Sequence, residues 1–228
     1  ILQVLAEVGE AGEPDAAGVA RVAASVRDER ERARVKLLGK TSGAEFHRLS
    51  ARLQKTAAAL QAADAKPKHG AEPRSWRWAV DARVARRASA VLESVASAGA
   101  VYLPERLHAV RIATKKLRYA LEVAADASST KRAADLRLLR RVQDNLGRLH
   151  DLQVLIERSR TVQASLTPPD LSAWRELDRL IASLEDDCRR LHGRYMRGRD
   201  PLEALCGRLA GAASEVKTQK SKLKRTAR

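Results

Sequence analysis

Cysteine occurs only twice, at Cys188 and Cys206. Two are too few for a disulfide scaffold or a cysteine-built metal site, and they fit a reducing cytoplasm. Aromatic residues make up 3% of the chain, which argues against sheet-based readers of RNA or single strands, whose bases stack on aromatic platforms. Glycine (12) and proline (7) are scarce, so few positions punctuate the chain. No run of 18 apolar residues occurs, so no membrane-spanning segment is expected. No stretch alternates apolar and polar residues over the length of a strand. The first residue is Ile1, with no Met and no signal-peptide pattern, and more chain is expected upstream.

Alanine, leucine, arginine and glutamate are abundant instead, and these residues lose little side-chain entropy in a helix. With no strand pattern beside them, they predict an all-α protein. Lys and Arg number 44 against 28 Asp and Glu, a formal charge of +16 and a pI near 10.6. Lys217–Arg228 contributes six of the positive charges and no acid, so 214–228 reads as a basic, disordered tail. The rest keeps +10, and Arg outnumbers Lys by 32 to 12 across the chain. The planar guanidinium fork suits phosphate oxygens. A folded body with this excess is expected to meet a polyanion.

Gly and Pro divide the chain into helices. They are expected from about Asp15 to Leu38, Glu45 to Ala63, Trp78 to Ala98, Pro104 to Ala125 and Lys131 to Gln163. Two more follow, from an Asp170 cap to about Leu191 and, after a break, from Pro201 to Ala213. Lys66 to Pro73 holds two Pro, a Gly and two Lys, the strongest linker signal. The expected organisation is therefore 1–65, a linker at 66–75, a second unit at 76–213, and the tail. A repeat supports two related units: Leu2-Gln3-Val4-Leu5-Ala6-Glu7 returns as Leu152-Gln153-Val154-Leu155-Ile156-Glu157, five identities in six. After each, a Pro-Asp pair (Pro14-Asp15, Pro169-Asp170) opens a helix with Val19, Val22 and Val26 matched in spacing by Trp174, Leu177 and Ile181.

The most informative stretch is Leu107–Glu122, LHAVRIATKKLRYALE. At about 100° per residue, His108, Arg111, Lys115, Arg118, Tyr119 and Glu122 share one stripe about 100° wide, and Val110, Leu117, Leu121 and Ala124 lie opposite as a core face. Stacked cations repel by a few tenths of a kcal/mol per i,i+3 or i,i+4 pair, so something negative is expected on this face; an ordinary basic surface balanced by Glu122 is the plainer alternative. Lys116 flanks the stripe, and Tyr119 is placed to donate its hydroxyl to a phosphate oxygen, to brace an arginine or simply to pack. The next helix carries Arg137, Arg141 and Arg148 interleaved with Asp144 and Asp151, which suits either a ligand surface or a self-satisfied ladder. His150 departs from that stripe and reads as an interface histidine. Arg83 and Arg87 form an i,i+4 pair, as do Arg48 and Arg52, the weaker candidates; each pair alone suits a solvated face. Together the stripes are expected to converge on one groove, with Arg83, Arg87, His108, Arg111, Lys115, Arg118, Arg137, Arg141 and Arg148 around it.

HAVRIATKKLRYALEV followed by VQDNLGRLHDLQVL resembles the second half of a CHAD domain, the conserved-histidine α-helical domain. The matching residues are His108, Arg111, Lys115, Lys116, Arg118 and Tyr119, then Gln143, Leu146, Gly147 and Asp151. The resemblance implies two antiparallel four-helix-type bundles related by a pseudo-twofold around a basic groove. It also implies inorganic polyphosphate as the ligand, with a cytoplasmic protein associated with polyphosphate granules. The family's first half carries its own His-x-x-Arg helix, which this chain does not contain, so the first bundle is expected to be incomplete.

Enzyme motifs are missing. Glu105-x-x-His108 has no second copy for a di-iron bundle, and no Walker loop, Gly-x-Ser-x-Gly or His-Glu-x-x-His is present. Glu29-Arg30-Glu31 falls in a helical stretch with Ala33 where a triphosphatase strand needs lysine. The expectation is a binding protein with no catalytic residue, metal or cofactor. The alternative is a helical protein that binds nucleic acid non-specifically through phosphate contacts; a scaffold for acidic proteins would share the charge.

Overall fold

The computed structural model describes residues 3, 5–7, 16–64, 76–128, 132–166 and 170–226. Every regular element among them is helical. After the helical residues Gln3 and Leu5–Glu7 come α1 (Ala16–Lys40), α2 (Gly43–Asp64), α3 (Trp76–Ala98), α4 (Pro104–Ser128), α5 (Ala133–Ala164) and α6 (Leu171–Thr226). The expected linker at 66–75, the Pro14-Asp15 helix start and Pro169 of the matching pair lie outside the described residues.

Local chemistry accounts for the helix ends. Ser42 and Glu45 form a reciprocal capping box: the Ser42 amide donates to Glu45 Oε2 at 2.9 Å and the Glu45 amide to Ser42 Oγ at 3.3 Å. The break between α1 and α2 is thereby confined to Thr41 and Ser42, and Gly39 stays helical. Gly99 stops α3 in the left-handed region, φ +64°, which glycine reaches without a Cβ penalty. Pro104 supplies the first turn of α4, where its missing N–H costs nothing. Asp170 caps α6 as expected, its Oδ1 accepting the Ala173 amide at 3.1 Å.

Two cores result. In the first, α3, α4, the N-terminal half of α5 and the middle of α6 bury Val84, Val91, Val110, Leu117, Leu121, Leu146, Tyr195 and Leu202. In the second, α1 and Leu5 pack against the C-terminal part of α5 and the N-terminal part of α6, around Val22, Leu155, Ile156, Leu177 and Leu184. Leu5 and Leu155, partners in the repeat, share this core, as do Val22 and Leu177. α1 meets α6 closely there: a Cβ on Gly18 would stand 3.5 Å from Glu176 Cβ.

Two expectations are corrected. There is no break after Leu191; α6 runs unbroken through Pro201. An interior proline costs about 3 kcal/mol, but Cys188, Tyr195, Leu202, Leu205 and Cys206 form one buried stripe across the expected gap. Each buried leucine returns about 1.5–3 kcal/mol, so one continuous helix is favoured. The backbone also remains helical to Thr226, across the stretch read as a disordered tail. No helix among the described residues is long and apolar enough to cross a membrane.

Candidate functional site

α4 is the central element of the site. Its core face is buried through Leu107, Val110, Thr114, Leu117, Leu121 and Ala124, which fixes its rotation. One flank is thereby turned toward α5, the other toward α3, with Tyr119 on the exposed crest between them.

On the α5 flank, Arg118 is held from two directions. Its Nε donates to Gln143 Oε1 at 2.8 Å and its Nη1 to Glu122 Oε1 at 2.9 Å. Glu122 Oε1 also accepts from Arg140 Nη2 at 3.2 Å. Two turns toward the start of α4, Arg111 lies over Gly147, where a Cβ would stand 3.7 Å from its Nε. His108 then meets His150, ring centroids 4.4 Å apart. Gln143, Gly147 and His150 thus make one face of α5, at i, i+4 and i+7, that receives Arg118, Arg111 and His108 in turn. His108 Nδ1 and Arg111 Nε are buried without a hydrogen-bond partner. Burial holds the His150 pKa below its ordinary value, with His108 and Arg111 adding to the effect and Asp151 and Glu157 opposing it.

On the α3 flank, a crevice of about 300 Å³ is lined by Arg83, Arg87, Lys116 and Tyr119, with Val80, Ala120 and Val123 among them. Tyr119 braces an arginine: Arg118 Cζ lies 4.6 Å from its ring centroid, and Lys115 Nζ lies 5.8 Å away. Among the described residues, Arg83, Arg87, Arg111, Lys115 and Lys116 take part in no ion pair. α4 therefore joins the two clusters into one cationic face, with Glu122 as the acid paired within it.

The remaining candidates are placed differently. Arg137 and Arg141 are exposed on α5, turned about 120° from the face that meets α4. Arg148 is engaged by Glu7 at 2.7 Å. The ladder considered for α5 does not form among the described residues: Asp144 and Asp151 pair with none of its arginines. Arg48 and Arg52 lie on α2, whose described side chains are all exposed and which, among the described residues, shares no packed interface with the other helices; they are not brought to the face. His150 is the interface histidine the sequence suggested, packed on His108, and Gln143, which the sequence marks only as a motif residue, holds Arg118; the sequence does not single out Arg140 at all. Their spacing was visible, but the rotation of α5 against α4 was not.

No curated protein and no solved structure matches the chain. A family profile, the CHAD domain, matches residues 1–160, which takes in α1 to α4 and nearly all of α5, including both sides of the Arg118–Gln143 contact. The chain belongs to the CHAD domain family.

Proposed function

We propose that this chain binds inorganic polyphosphate along the cationic face of α3, α4 and α5. It acts as a binding protein rather than an enzyme, in the cytoplasm and at polyphosphate granules. The observation that carries this reading is the set of five cations on α3 and α4 that have no ion-pair partner among the described residues, beside a sixth, Arg118, locked in orientation by Gln143 and Glu122. Fixing several like charges on one face is unfavourable until an anion is added. Arginine forks held in place present donors to phosphate oxygens with little further ordering cost. Membership of the CHAD family, associated with polyphosphate, points the same way. A bare phosphate chain is slender enough to follow the α4–α5 seam and the α3–α4 crevice in succession, whereas a duplex can touch only their rims.

Competition tests the proposal. With both polyanions matched in phosphate concentration at one salt concentration, long-chain polyphosphate is expected to displace duplex DNA from the protein. Displacement of polyphosphate by the duplex would favour the nucleic-acid reading instead.

A further inference from the structure

A phosphate chain is polar along its whole length and has nothing to lay on hydrocarbon, yet the α3–α4 crevice is only partly polar. Val80, Ala120 and Val123 give it an apolar floor. Arg83, Arg87 and Lys116 ring that floor, and none of the three has an ion-pair partner among the described residues. Tyr119 forms one wall and remains 47% exposed. Arg118 stands against the Tyr119 ring, its Cζ 4.6 Å from the centroid, and is itself held from the α5 side by Gln143. Arg118 is not among the residues that line the crevice, so the ring is braced by a side chain that leaves the crevice open. A flat apolar surface next to three cations with no ion-pair partner among the described residues matches a ligand that joins a planar ring to several phosphates.

We infer that the crevice between α3 and α4 is a binding site for a nucleoside polyphosphate, whose base lies on the apolar floor against Tyr119 while its phosphates take Arg83, Arg87 and Lys116. The cavity, about 300 Å³, falls at the small end of ligand pockets, enough for the base and sugar with the phosphates outside among the cations. Arg83 and Arg87, one helical turn apart, can grip successive phosphates. Stacking on an aromatic ring tolerates any base, and among the described residues no side-chain amide lines the crevice to read a base edge. Purines are therefore favoured over pyrimidines by contact area alone. The inference needs the crevice and not the rest of the cationic face.

The test is calorimetric titration of the whole chain with ATP and with inorganic tripolyphosphate, at matched ionic strength and without divalent metal. The two carry triphosphates of comparable charge and differ in the nucleoside. ATP is expected to bind about tenfold more tightly. Tyr119→Leu should bring that ratio close to one, and Tyr119→Phe should keep it. Equal affinities in the unaltered protein, or a ratio that survives in Tyr119→Leu, would overturn the inference. Long-chain polyphosphate, titrated in parallel, separates this outcome from the previous proposal. If it binds while ATP shows no advantage, the nucleotide site falls alone; if ATP shows a Tyr119-dependent advantage and polyphosphate does not bind, the polyphosphate reading falls alone.

Discussion

At the scale of single residues, the site combines cations that have no ion-pair partner among the described residues with one that is restrained. Glu122 both steadies Arg118 and opposes any anion that approaches it. Glu122→Gln removes the opposing charge, while Arg118 keeps its bond to Gln143. The expected result is polyphosphate binding a few-fold tighter and a fold weaker by about 1 kcal/mol, read by titration and by urea unfolding. Looser binding would mean that Glu122 is needed to aim Arg118. The histidines give a pH signature. The pKa of His150 is lowered from 6.5 by burial and by its neighbours, and that of His192 by burial alone. The folded state therefore favours the neutral rings, and the unfolded chain binds more protons below about pH 6.5. Their stabilising contribution is present above that pH and is lost as pH falls toward the lowered values. The melting temperature should drop between pH 7 and 5.5, and His150→Gln should reduce the drop; an unchanged drop would assign it to other groups.

At the scale of elements, the sequence made helices legible because apolar spacing and caps are local signals. The ends of α3 at Ala98, of α4 at Pro104 and the Asp170 cap of α6 can each be read from a few neighbouring residues. Pro201 is the counter-example: its local signal is a break, and the burial that outweighs it depends on helices distant in sequence. The same limit applies to the site. His108, Arg111, Lys115 and Arg118 could be grouped because they share one helix, and the core residues opposite them fixed which way they face. The partners Gln143 and His150 depend on how α5 is turned against α4, which no wheel of one helix contains. Arg137 and Arg141 illustrate the same limit: they form a stripe on α5, but not the stripe that meets α4. Pro201→Ala should stabilise the protein by about 1–3 kcal/mol, because it restores a helix hydrogen bond and relieves a clash in a helix that is already continuous. Urea unfolding measures this; a loss of stability would show that proline sets a bend which the Tyr195–Leu202 packing requires.

At the scale of the whole molecule, two cores share the long helices α5 and α6, so the cationic face rests on a framework fixed at both ends. α2 stands apart from both cores, which leaves Arg48 and Arg52 outside the site. The net charge of +16 alone would attract any polyanion; arrangement of that charge on α3, α4 and α5 is what the account adds. Its central claim is that phosphate neutralisation on this face drives binding. The most direct measurement is the affinity for long-chain polyphosphate as a function of salt. For single-stranded polyanions the log–log slope is roughly −0.7 per phosphate neutralised, so engagement of Arg83, Arg87, Arg111, Lys115, Lys116 and Arg118 predicts a slope of about −4. A flat response to salt would contradict the account.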